Sequence, residues 1–266
     1  MNSMKRFFKD YYLFLAAAAV LLVLWEWLVR TDKVPSFILP APTGILVSLF
    51  ENKEVLLGHT WATFKEAILG FLIAAVAGVS LAVAMFFFKS VQKMVYPAVL
   101  ISQTIPIIAL SPIFVLWFGY SIWSKVAVTV LIAFFPIVVS TYDGLNHHDR
   151  DYVDLLRSMG ARRWQVFKKV QLPMALPAFF SGIKLAAVFS VVGATIGEWL
   201  GASEGLGYYS RRMSGSLNAE GVFSAIFLLS LLGICLFGAA ALAEKQMFKW
   251  KANREDVQHE QMDKTK

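Results

Sequence analysis

"AILGFLIAAVAGVSLAVAMFFF" (Ala67–Phe88) runs for 22 residues without a charged side chain. An α-helix needs about 20 apolar residues to cross the hydrocarbon core of a bilayer. Met94–Ser124, Val126–Tyr142 and Gly221–Ala243 are equally free of charge. In lipid every backbone N–H and C=O must be paired within its own segment, so runs of this kind are helices. A soluble domain would interrupt them with polar faces. The 266-residue chain, 58% hydrophobic and 16% charged, is therefore expected to be an all-α polytopic membrane protein. About six transmembrane helices are predicted, near 11–29, 67–88, 95–118, 124–142, 178–200 and 221–243.

The formal net charge of +7 reports orientation. With the N-terminus inside, seventeen of the 25 lysines and arginines fall in cytoplasmic segments and seven outside, with Lys184 in a span. The positive-inside rule expects that asymmetry, and the opposite topology inverts it. Both termini are thus expected on the cytoplasmic side, and no nucleic-acid partner is implied. Lys5, Arg6 and Lys9 ahead of Tyr11–Leu24 look like the start of a signal peptide. No small-residue cleavage site follows, however, so an uncleaved first helix is expected. Cys235, the only cysteine, excludes an intrachain disulfide.

The chain reads as a cytoplasmic N-terminus (1–10), one membrane domain (11–248) and a polar cytoplasmic tail (249–266) that frays after Trp250. In the outer segment 31–62, Pro35, Pro40 and Pro42 precede Ile45, Leu46, Leu49, Phe50 and Lys53, whose spacing predicts a short surface helix. Gly70, Ala74, Gly78 and Ala82 recur every four residues, a helix-packing signal. Pro97, Pro106 and Pro112 make the 94–124 segment either kinked or broken beside a pathway, and both readings stay open. Glu26 and Arg30 are spaced for an (i, i+4) pair. Lys184 is expected to snorkel to the cytoplasmic face.

One cytoplasmic loop, 143–173, departs from this apolar pattern. "DRDYVDLLRSMGARRWQVFKKVQLPMALP" (Asp149–Pro177) places Val153, Leu156 and Met159 on one face of a short helix, which Gly160 ends. A second short helix carries Trp164, Phe167 and Val170 on one stripe with Arg163 and Lys168 around it. "LPMALP" is expected to stop that helix and open the next span. An aromatic stripe of this kind suits a groove on a partner protein, or acidic lipid headgroups.

Gly160, nine residues, then Val170-Gln171-Leu172-Pro173 resembles the cytoplasmic signature of binding-protein-dependent ABC importer permeases. That signature opens Glu-Ala-Ala where this chain has Asp154-Leu155-Leu156. "IPIIALSPIFVLWFGY" (Ile105–Tyr120) and "AFFPIVVSTYDGL" (Ala133–Leu145) resemble the branch serving sulfonates, taurine, nitrate and thiamine precursors. "GEWLGASEGLGYY" (Gly197–Tyr209) resembles its hydroxymethylpyrimidine and formylaminopyrimidine members, with sulfonate, taurine or nitrate as alternatives. The resemblance runs from about Pro40 to Lys245. It implies a type I importer permease fold in a bacterial inner or plasma membrane, with two permease copies, as a homodimer, above a cytoplasmic ATPase dimer. An extracytoplasmic substrate-binding protein would deliver the cargo. It further implies that ATP and Mg belong to the ATPase, that this chain binds no cofactor or metal and is not an enzyme, and that Asp154, Gly160, Ala161, Trp164, Phe167, Leu172 and Pro173 form the coupling site. Pro106, Glu198 and Trp199 are candidates for the substrate pathway or gate.

Other chemistries find little support. No P-loop pattern occurs, and "GASEGLG" (Gly201–Gly207) lacks the strand that a phosphate cradle follows, so a tight turn is expected there. His147 and His148 are adjacent, which is not metal-ligand spacing on a helix. Glu198 suits either a hydrogen bond to a substrate amine, with Trp199 stacking on its ring, or a carboxylate held within the outer gate or dimer interface; the second reading is favoured. A gradient-driven secondary transporter would show inverted repeats and ionisable groups near the midplane. An intramembrane enzyme would need a nucleophile–base pair or metal ligands in a span.

Overall fold

The structure, a computed structural model, describes residues 2–31, 33–147 and 150–263. His148 of the expected histidine pair and residues 264–266 of the tail lie outside the described residues. The described chain forms helices α1 (Asn2–Arg30), α2 (Pro42–Glu51), α3 (Lys53–Phe87), α4 (Lys89–Ser102), α5 (Ile107–Phe118) and α6 (Ile122–Asn146). These are followed by α7 (Arg150–Ser158), α8 (Arg163–Val166), α9 (Leu172–Gly201), α10 (Leu206–Gly215) and α11 (Ala219–Asp263), with no strand among the described residues.

Among the described residues, four helical stretches are long and apolar enough to span: Lys53–Phe87, Ile122–Asn146, Arg163–Gly201 and Ala219–Phe248. A fifth arises if α4 and α5 count together, although they meet at 103°. The remaining expected segment, 11–29, lies within the single helix α1. The 94–124 segment is therefore broken and not merely kinked. Pro106 precedes α5 in an extended conformation (φ −62°, ψ 112°), and a proline disfavours helical geometry in the residue before it. The end of α4 tightens into i→i−3 bonds, Thr104 N–H to Ile101 O at 2.9 Å among them, and the Ser102 hydroxyl donates to Val99 O at 2.7 Å. Those bonds satisfy groups that the break would otherwise orphan.

The chain divides into two compact units, Met1–Ala62 with Ser203–Leu229 and Thr63–Ala202 with Ser230–Lys266. In the first, the expected Glu26–Arg30 pair forms at 2.6 Å. The Glu26 carboxylate also accepts from the Thr43 hydroxyl at 2.7 Å and the Thr43 N–H at 3.1 Å. It thereby caps the first turn of α2, whose preceding residue Ala41 has no capping side chain. Leu56, Leu206, Tyr209 and Ala225 form the apolar core of this unit. The expected tight turn is present: Gly205 takes φ +108° just before α10, and its N–H donates to His59 Nδ1 at 3.0 Å.

The second unit is built on α3, α6 and α9. Lipid tails are as apolar as leucine, so helices here associate through close packing of small residues. The Gly70, Ala74, Gly78, Ala82 stripe packs as expected. Ala74 and Ala82 are fully buried, a Cβ at Gly78 would lie 3.0 Å from Ile137, and one at Gly70 would collide with Thr129. A second stripe on α9 brings that helix still closer to α6. A Cβ at Gly193 would lie 2.6 Å from Thr129 Cα, and one at Gly197 2.8 Å from Lys125 Cα.

Two expectations fail in this unit. Lys184 does not snorkel: its Nζ donates to Glu244 Oε2 on α11 at 2.7 Å, because a nearby carboxylate satisfies the ammonium better than an extended side chain. The backbone of α11 also stays helical to Asp263 instead of fraying after Trp250.

Candidate coupling and pathway sites

Helix α7 ends in a Schellman corner. Gly160 N–H donates to Arg157 O at 2.9 Å, and Ala161 N–H reaches back to Leu156 O at 2.9 Å. The geometry requires a left-handed residue, and Gly160 supplies it with φ +82°. Val153 faces inward and Leu156 is half-buried, but Met159 does not continue their stripe and is exposed at the corner. Tyr152, Leu155 and Met159 instead form an outward apolar face. Asp154 is also exposed, with Arg157 Nη1 3.9 Å from its carboxylate.

Beyond the corner, Gln165 Oε1 accepts the Arg162 N–H at 2.7 Å and closes the first turn of α8. The helix does not stop at "LPMALP". Residues Phe167–Gln171 form a π-turn, with Leu172 N–H bonding Phe167 O five residues back, and lead without interruption into α9. In a regular helix Pro173 would press against the carbonyl four residues before it; the wider turn relieves that clash. Arg163–Gly201 is thus one continuous helical stretch of 39 residues.

The expected stripe of Trp164, Phe167 and Val170 also divides. Phe167 is 5% exposed, in a core with Leu145 and Ala175 and against Phe86 and Phe87. Trp164 is 61% exposed, its ring stacked on Phe167 at 5.3 Å and on Phe87 at 6.4 Å. Arg163 Nη2 donates to Phe87 O at 3.1 Å, at the last residue of α3, where a cation complements the helix dipole. The loop is therefore fastened to α3 through Arg163 and Phe167 and leaves Tyr152, Leu155, Met159 and Trp164 exposed. Ala161 and Pro173 are half-buried and Leu172 is exposed.

The three pathway candidates differ in exposure. Pro106 is exposed at the α4–α5 break. Trp199 is 49% exposed, whereas Glu198 is completely buried. Glu198 lies in side-chain contact with Glu66 on α3, and Glu66 Oε1 is 3.4 Å from Lys125 Nζ on α6. Glu66 and Lys125 were not among the residues singled out from sequence. Their only signal was position, as the last acid before Ala67–Phe88 and the single cation between two uncharged runs. A separate cavity of about 500 Å³ is lined by Ile73, Phe114, Phe118, Trp123, Val130 and Phe134, among other apolar residues. It offers no polar side chain to a cargo. Among the described residues no group of three or more His, Cys, Asp or Glu side chains is placed to hold a metal.

Residues 70–249 match the family model described as binding-protein-dependent transport system inner membrane component. The formylaminopyrimidine transport permease protein ThiX of Halalkalibacterium halodurans is 47% identical over 87% of this chain and 93% of its own length. The riboflavin transport system permease protein RibX of Chloroflexus aurantiacus is 31% identical over 88% of each chain. An inward-facing structure of the MetNI methionine ABC transporter superposes with a TM-score of 0.65 at 20% identity, covering 74% of this chain and 97% of that one. That likeness bears on the fold alone.

Proposed function

The chain belongs to the family of binding-protein-dependent transport system inner membrane components, and from that premise we propose how its parts serve ATP-driven import. The 150–173 segment receives the stroke of a separate cytoplasmic ATPase dimer, which holds the ATP and Mg; this chain supplies the membrane pathway. Two copies of the chain stand over the two ATPases, with both termini on the cytoplasmic side. An extracytoplasmic binding protein delivers the cargo.

The observation that carries this reading is the exposure of Tyr152, Leu155, Met159 and Trp164 on a loop that Arg163 and Phe167 fasten to α3. An exposed apolar patch on a rigid support suits a groove on a partner protein. A merely lipid-resting helix would not need the second attachment.

The cargo class is a formylaminopyrimidine-like precursor of thiamine. The 47% identity to ThiX over nearly the whole chain supports it. RibX, also named for a flat nitrogen heterocycle, is a more distant relative.

The test is reconstitution of the tagged chain with the ATPase and binding protein encoded beside it. ATP-dependent uptake of labelled formylaminopyrimidine, lost in Gly160→Asp while membrane insertion persists, is the expected result. Uptake of sulfonate, taurine or nitrate alone would move the cargo to those classes. Uptake without ATP that collapses with a protonophore would replace the importer with a gradient-driven carrier.

A further inference from the structure

We propose that the junction of α3, α6 and α9 is a proton-binding site, in which Glu66 and Glu198 share one proton opposite the Lys125 ammonium. The three residues are 2%, 0% and 4% exposed, respectively. They come from three different helices, so the site exists only in the packed fold. Lys125 Nζ lies 3.4 Å from Glu66 Oε1. Glu66 Oε2 is buried, and no donor among the described residues serves it. The Glu198 side chain acts directly on that of Glu66. Two ionised carboxylates offer only acceptors, so a donor can join them only if one carries a proton.

Charge balance leads to the same state. Glu198 and Lys125 are the charged groups acting on Glu66. One ammonium and two carboxylates would leave a net negative charge buried among apolar helices, which is costly. One added proton makes the cluster neutral and supplies the missing donor to the second oxygen. A metal cation is disfavoured, because the site has only two carboxyl groups and already holds an ammonium. The close approach at Gly197, where a Cβ would lie 2.8 Å from Lys125 Cα, fixes α9 against α6 and holds Glu198 in place. The neutral cluster ties the three helices together, and Glu198 is thereby committed to its neighbours and not to a cargo amine.

Infrared spectroscopy of the full chain in lipid nanodiscs tests the site, with wild type beside Glu66→Gln and Glu198→Gln. At neutral pH the wild type is expected to show a protonated-carboxyl C=O band that shifts in D2O. Either single variant leaves one carboxylate paired with Lys125, so the band should vanish while the melting temperature stays near that of wild type. The double variant strands the ammonium and should melt lower than either single one. Absence of the band in the wild type overturns the proposal, whether or not the variants fold. It is equally overturned if the band persists in both single variants, or if sodium ions displace it.

Discussion

Arg163 donates a 3.1 Å hydrogen bond to the carbonyl of Phe87 and stands 5.3 Å from that residue's ring centroid. The cytoplasmic loop is thus joined to the end of α3 by a side chain that is itself exposed. Arg163→Ala is expected to cost about 1 kcal/mol of stability, the scale of one charge-assisted bond at the surface. Uptake should fall more than that figure suggests, because the ATPase would push on a loosened loop. Thermal unfolding beside ATP-dependent uptake separates the two effects.

Trp164 and Phe167 should respond in opposite ways. Phe167 is a core residue, and Phe167→Ala should destabilise by about 3–5 kcal/mol. Trp164 is exposed, so Trp164→Ala should cost about 1 kcal/mol of ring stacking and yet abolish capture of the ATPase. Melting curves and pull-downs on both variants check the contrast. A folded Phe167→Ala that still transports normally would contradict the placement of its ring.

At Gly160 the penalty for a side chain is conformational, since an added Cβ would meet nothing within 4 Å. Gly160→Val should cost about 1–2 kcal/mol, and Gly160→Asn less, because asparagine tolerates the left-handed region. Relative uptake should follow the same order. Equal loss in both variants would point to a steric demand from the ATPase.

Close packing of α6 on α9 predicts a difference between two glycines. Gly193→Ala drives a methyl toward the Thr129 backbone, whereas a Cβ at Gly233 meets nothing within 4 Å. The first should lose about 1–3 kcal/mol by overpacking, and Gly233→Ala should behave as wild type. Yield of monodisperse protein after extraction reads this out.

The Lys184–Glu244 pair, with both side chains less than one quarter exposed, should contribute on the order of 1 kcal/mol. Lys184→Met should lower the melting temperature, and the exchange Lys184→Glu with Glu244→Lys should recover most of the loss.

Much of this was legible from the chain itself. Uncharged runs give the spanning helices because lipid permits little else, and Pro106 marks the α4–α5 break because its geometry is local. Gly160 was likewise readable, since a corner between two amphipathic stretches requires a left-handed residue. Other features depend on partners far away in sequence. Lys184 alone suggests snorkelling; Glu244, 60 residues later, changes the answer. Glu198 alone favours a carboxylate held within the protein over a cargo ligand, but its neighbours Glu66 and Lys125 lie on other helices and cannot be named from its own segment. At Phe167–Gln171 the difficulty was local: proline reads as a stop, and a π-turn absorbs it with no distinctive composition.

The absence of a stop at Pro173 has a mechanical result. Arg163–Gly201 is a single helical stretch of 39 residues, about 58 Å along its axis at the usual rise, and could serve as a tiller. Trp164 is near the handle, and Glu198 near the blade. A swing of roughly 10° about the middle would carry each end about 5 Å, by the arithmetic of a rod of that length. A hinge at Pro173 would dissipate such a swing within the first turns. The π-turn lets the chain keep its proline without ending the helix.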